Sequence, residues 1–224
     1  MLQGLVLTKS SEQEKIYGNN YFMNTPAKRG IIKSPDTERK NRLPPNQTKT
    51  EKWPVLHEGS IPDINLSEWK FRIFGLVEKG SILTFEKFSS LPKVKCFSDI
   101  HCVTGWSRLG NLWEGISTGE IKKLVKIKRE AKFAIVHAFG GFSTNLTLED
   151  FFAEDALFAI KHNKEPLIPE HGFPVRLVVP RLYFWKSAKW VTGVQFTAKD
   201  IPGFWESRGY HNRGDPWKEE RYGE

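Results

Sequence analysis

The chain has 224 residues and a net charge of +8, and 39% of its residues are hydrophobic, with 16 Phe and 8 Trp. That length favours one domain with extensions, and the aromatic content is enough for a sizeable core. Charges of both signs (27% of residues) exclude a polybasic tail; the balance suits an anionic ligand, and nucleic acid only weakly. Cys96 and Cys102 are the two cysteines, which excludes a disulfide framework and a CxxC metal or redox pattern.

Residues 1–50 are polar and carry Pro26, Pro35, Pro44 and Pro45. They read as an extended arm with one helical turn over Glu12–Tyr17. The start, Met1–Leu7, is too short for a secretory signal, and no stretch approaches a membrane span. The expectation is a soluble, cytoplasmic protein. The organised domain is expected over 51–224, opening near Trp53. Trp69–Gly75 alternates with period two and predicts a strand, followed by a turn at Glu78–Gly80. Leu83–Phe88 is a short helical or extended connection. Lys93–Phe97 predicts a strand that delivers the chain to Cys102. Ser117–Glu120 has capping-box spacing, with a helix continuing through Ile121, Leu124 and Val125. Phe133–Phe139 predicts a strand ending at Gly140-Gly141. Thr147 and Asp150 form a second capping box, and a short strand is expected over Ala156–Ile160. Val175–Val179 is strand-like. Trp190, Thr192, Val194 and Phe196 are expected on one face of a final strand, before an aromatic terminal wrap from Ile201. Short strands with short helices and no regular βαβ repeat indicate an α+β fold.

The segment His101-Cys102-Val103-Thr104-Gly105-Trp106-Ser107 concentrates chemistry. A thiolate is a soft metal ligand, a nucleophile when its pKa is lowered, and otherwise a small buried hydrophobe. Arg176 lies in an apolar strand, where a guanidinium needs an anion or several acceptors. Lys186, Ser187 and Lys189 occupy a turn that could hold a phosphate or present solvated lysines. Asp99, His101 and Cys102 are too close in sequence to converge as a nucleophile and base. A non-enzymatic basic and aromatic binding surface and a metal-free cysteine enzyme also fit these residues.

The ordered motifs resemble the sulfite oxidase-like molybdopterin-dependent oxidoreductases, most closely small prokaryotic members with the catalytic domain alone. The motifs are Pro44-Pro45, Trp53-Pro54-Val55-Leu56, His101 to Ser107, Trp113-Glu114-Gly115, His171 to Arg176, Lys186 to Trp190, and Gly209-Tyr210-His211 with Gly214 to Trp217. The resemblance implies mixed, curved sheets around a Mo-molybdopterin cofactor, with Cys102 as the molybdenum ligand. It assigns His171, Arg176, Ser187 and Lys189 to the pterin and its phosphate, with His137, Asn46 and Gln47 nearby. The implied chemistry is two-electron redox or oxygen-atom transfer on a small oxyanion, S-oxide or related substrate, with a separate electron carrier and no nucleic-acid partner. Methionine sulfoxide reductase-like activity is the alternative within the family. His101, not an arginine, precedes Cys102, which weakens sulfite as the substrate.

Overall fold

Lys70–Gly75 (β3) buries Phe71 and Ile73 and exposes Lys70 and Arg72, the alternation of a strand with one face on a core. The computed structural model describes residues 30–223, so the turn expected at Glu12–Tyr17 lies outside the described residues. β3 belongs to a five-stranded sheet with β4 (Ser81–Thr84), β7 (Phe133–Ala138), β8 (Ser143–Thr147) and β12 (Val191–Thr197), in the order β4-β3-β12-β7-β8. β3 and β12 run parallel, and the other neighbours are antiparallel.

The second sheet is built on a long hairpin, β5 (Lys93–His101) and β6 (Trp106–Ser117), followed across the sheet by β9 (Leu157–His162). β1 (Ile31–Lys33) pairs with β5, and β2 (Thr48–Lys49) pairs with β6. The predicted arm therefore contributes two short parallel strands. β10 (Glu165–Pro166) and β11 (Arg176–Val178) pair with β9. Gly115 sits at a register shift between β6 and β9, where a Cβ would stand 2.0 Å from the Phe158 carbonyl oxygen. Only glycine permits that approach.

Among the described residues three short helices, α1 (Phe85–Ser89), α2 (Ile121–Leu124) and α3 (Leu148–Phe151), join the sheets in an α+β architecture. The Thr147 hydroxyl accepts the Asp150 amide as the capping box predicts. At the other box Ser117 accepts from Gly119 and opens a 3-10 turn before α2. Between the sheets, Phe71 of β3 meets Phe158 of β9 at 5.0 Å and Phe88 of α1 at 4.9 Å, and Phe151 of α3 meets Phe196 of β12 at 6.0 Å. Phe158 is fully buried, and truncating it to Ala costs about 3–5 kcal/mol.

Two expectations differ from the structure. β6, twelve residues long, was not expected, because Gly110, Gly115 and scattered charges break its alternation. In β12 a bulge between Val191 and Gly193 shifts the register. Val194 and Phe196 are buried as expected, whereas Thr192 is half-exposed and Trp190 precedes the strand at φ +53°. The terminal wrap is ordered: Arg213 bridges to both Asp150 oxygens at 3.1 and 3.2 Å, and Tyr210 pairs with Tyr222.

Candidate functional site

The β5–β6 hairpin closes on Cys102. The Cys102 amide donates to the Trp106 carbonyl at 2.9 Å, and the Gly105 amide donates to the Cys102 carbonyl at 3.0 Å. Gly105 takes φ +94°, a conformation open to glycine. The N-terminal arm grips this loop from behind. Gln47 Nε2 donates to the Cys102 carbonyl at 3.0 Å, and Ser107 Oγ donates to Gln47 Oε1 at 3.1 Å. Ser107 can then accept from His101 Nδ1, 2.8 Å away. Arg221 donates to the Val103 and Asn46 carbonyls, while the Asn46 side chain donates to Glu219 at 2.7 Å.

Cys102 is 8% exposed, and its Sγ lies 3.1 Å from Thr104 Oγ1. Burial raises the thiol pKa, and the Thr104 contacts and Arg221 oppose the shift only in part. A thiol held protonated is no activated nucleophile. Asp99, the other acid near the motif, is engaged by Arg42 at 2.9 Å and by the Gly110 amide at 2.8 Å. Burial also lowers the His101 pKa.

Cys102 opens onto a cavity of about 700 Å³ whose wall also includes Trp53, Trp106, Arg176, Ser187 and Lys189. Arg176 is 1% exposed. Its Nη1 donates to the His171 carbonyl at 3.0 Å and its Nη2 to the Ser187 carbonyl at 2.8 Å, with the Phe184 ring 4.1 Å from Cζ. Among the described residues no carboxylate lies within 4.0 Å of it. Burial lowers its pKa to about 9. Lys189 likewise donates to a carbonyl, that of Glu170, at 2.6 Å. Burial and the neighbouring Arg176 lower its pKa to about 7. This end of the cavity holds two desolvated cations whose protein partners are neutral.

His171 stacks flat on Trp53 at 3.7 Å, and His162 packs against the same indole at 4.4 Å. Burial and nearby arginines lower both imidazoles to about 3, so both are neutral near pH 7. His171 Nδ1 is buried with no protein partner. Ser187 Oγ accepts the Val179 amide at 3.0 Å.

Cys102, Arg176, Ser187 and Lys189 thus share the cavity, with His171 behind Trp53. Asn46 and Gln47 support the loop without lining the cavity. The structure does not bring His137 there. Its Nε2 meets Gln195 Oε1 at 3.1 Å beside Phe74, while its neighbour Val136 faces the core. Lys186 also points elsewhere, to a buried ion pair with Glu206 at 2.6 Å and to carbonyls of Asn145 and Asn212. Trp185 and Tyr210 line the cavity and were not singled out as site residues by the sequence. Trp185 packs in one cluster with Cys102, and Tyr210 borders it. A sequence signal existed: large aromatics concentrated in segments with no strand or helix period.

Residues 58–205 match the family described as "Oxidoreductase molybdopterin binding domain". An "Uncharacterized oxidoreductase YuiH" of Bacillus subtilis (strain 168) is 49% identical over 191 residues, covering 85% of this chain and 96% of the relative. The protein-methionine-sulfoxide reductase catalytic subunit MsrP of Campylobacter jejuni is 29% identical over 168 residues, covering 65% of this chain and 54% of the relative. Among solved structures, the sulfane dehydrogenase SoxCD from Paracoccus pantotrophus is similar in fold, with a TM-score of 0.60 and 21% identity over 65% of this chain and 42% of that one.

Proposed function

The chain belongs to the sulfite oxidase-like family of molybdopterin-binding oxidoreductases and uses Mo-molybdopterin; on that premise we propose that Cys102 is its molybdenum ligand. Arg176 carries the reading. A fully buried guanidinium with no carboxylate partner is costly, and an anionic group in the same cavity removes that cost. Lys189 adds a second cation to the same cavity. Among the described residues no three His, Cys, Asp or Glu side chains could together hold a metal ion. Cys102 would be the protein's thiolate ligand to a metal that the cofactor brings with it.

When bound, the cofactor supplies two-electron redox chemistry. The protein's part is to hold, orient and shield. Arg176 and Lys189 would neutralise the cofactor's phosphate, and Trp53, packed against His171 and His162, would wall the same cavity. Gln47 and Arg221 fix the Cys102 loop through its carbonyls, as outer contacts orient a metal ligand. Thr104 contacts Sγ and tempers the thiolate. The reaction is two-electron redox or oxygen-atom transfer on a small substrate, with electrons exchanged singly with a separate carrier. Around Cys102 the wall is Trp106, Trp185, Trp205 and Tyr210, which favours an uncharged S-oxide over a small oxyanion. The two free thiols fit a cytoplasmic location. Among the described residues no helix is long and apolar enough to cross a membrane.

Molybdenum X-ray absorption on protein made in a molybdenum-competent host tests the ligand assignment. Cys102→Ser is expected to lower the sulfur coordination number by one while the fold persists. An unchanged sulfur shell overturns the assignment.

A further inference from the structure

The segments that wall the cavity are unequally held. The Gly105 amide closes the Cys102 loop on the Cys102 carbonyl at 3.0 Å. The Phe139 amide donates to the Trp190 carbonyl at 3.0 Å, that of Ser187 to Phe184 at 3.1 Å, and that of Phe204 to Ser143 at 2.8 Å. Residues 53–62, which contribute Leu56, His57 and Glu58 to the same wall, are built differently. They form no strand or helix, and among the described residues none of their amides or carbonyls joins a backbone hydrogen bond. Their hydrogen bond is internal, between His57 Nδ1 and the Gly59 carbonyl at 2.9 Å.

Both ends of this segment are anchored. Trp53 stacks on His171 at 3.7 Å, and downstream Ile64 and Leu66 are buried in the core. Pro54 and Pro62 fix φ just inside the anchors. Between them, residues 55–60 are all exposed, Val55 and Leu56 included. The segment is thus a single layer of chain at the outer edge of the cavity. Its one ring contact is the His57 imidazole, edge-on to the Trp190 indole at 5.9 Å. Trp190 is itself fixed, its Nε1 donating to the Pro169 carbonyl at 2.8 Å. A segment with few buried apolar contacts and no backbone hydrogen bonds opens at the lowest free energy.

We propose that residues 54–62 form a strap that swings aside to admit the cofactor and closes over it, with the His57–Trp190 contact as its latch. The proposal rests on the reading of this cavity as the cofactor site and adds the way in. The sheet-backed walls keep their shape while the strap moves.

The test compares protein made in a host unable to synthesise molybdopterin with molybdenum-loaded protein, both exposed to glutamyl endopeptidase. Cleavage after Glu58 is expected in the cofactor-free protein and should slow about tenfold or more on loading, because a closed strap is a poor protease substrate. Glu130, exposed and away from the cavity, should be cut equally in both. Equal rates at Glu58 in the two forms, or equal slowing at Glu58 and Glu130, overturn the proposal. The latch is tested with His57→Ala, an exposed position. Cofactor loading and release, followed by the fluorescence of the oxidised pterin after gel filtration, should both quicken about twofold to tenfold, the worth of one aromatic contact. Unchanged rates, or faster release with slower loading, overturn the latch. X-ray absorption on the loaded protein separates the two readings. A strap protected on loading without Cys102 in the sulfur shell overturns only the ligand assignment, whereas a Cys102-ligated protein whose strap is cut as before overturns only the gate.

Discussion

The two ends of the cavity are built on opposite principles. At one end Arg176 and Lys189 donate to backbone carbonyls and form no ion pair with a carboxylate, so positive charge is held out of water. At the other, Cys102 is ringed by neutral aromatics, and the nearest guanidinium, Arg221, is tied to backbone oxygens. The charged end is strong in binding, because a desolvated cation gains most from an anion. The neutral end leaves reactivity to what the cofactor brings. Binding energy gathered at a distance from the reacting atoms can then position the metal, while substrate selection is left to shape and hydrogen bonding.

The sharpest way to break this contrast is at the neutral end. Cys102→Ser is expected to abolish turnover, a loss beyond the roughly 10–100-fold typical of outer contacts to a metal site. Retained turnover in steady-state assays would remove Cys102 from the chemistry. Next comes the wall beside it. Glu206 and Lys186 are an almost fully buried pair, and Glu206 also accepts from the Trp185 indole. Glu206→Ala leaves a buried ammonium without its counter-charge and should destabilise the cofactor-free protein by about 3–5 kcal/mol in denaturant unfolding. A change under 1 kcal/mol would mean that the pair is a bystander.

At the charged end the effect is smaller and of another kind. Arg176→Ala removes a charge-assisted contact and should weaken cofactor retention about 10- to 150-fold. Unfolding of the cofactor-free protein should respond little, because relief of a desolvated cation opposes the loss of donors to the His171 and Ser187 carbonyls. Occupancy equal to wild type after gel filtration would leave Arg176 a packing residue.

The sequence exposes these two ends unequally. Cys102 and Arg176 are legible as oddities, a thiol in a polar turn and a guanidinium among valines and leucines. β3 follows from alternation, and β7 from a short apolar run that ends at Gly140-Gly141. β6 does not, because the glycine that lets it approach β9 also destroys its period. Lys186 and Lys189 look alike in sequence, three residues apart, yet one is buried on Glu206 and the other faces the cavity. The partner that decides between them lies twenty residues downstream, and no local pattern reports it. Asn46 and Gln47 are expected near the cofactor through the family resemblance alone; their grip on the Cys102 loop depends on β2 joining the sheet. Strand parity puts His137 opposite Val136; which of the two faces the core is a tertiary fact.

The smallest effect isolates Lys189 by pH. Its folded pKa of about 7 lies below the ordinary 10.5, first through burial and then through Arg176. Above pH 7 the folded cofactor-free protein has released this proton while the unfolded chain still holds it, so stability rises with pH from about 7 towards 10.5. Arg176 keeps its proton throughout pH 7 to 8.5, which leaves that window to Lys189 at this end. In that window the lysine becomes neutral and its attraction for anions fades. Sulfate, whose charge is constant there, should therefore bind the cofactor-free protein several-fold more weakly at pH 8.5 than at pH 6.5. Lys189→Met should flatten both trends: the gain in stability and the loss of sulfate affinity. Calorimetric titration and thermal unfolding across the window measure the two together. If Lys189→Met kept the wild-type pH dependence, the stored charge of this end would belong to Arg176 alone.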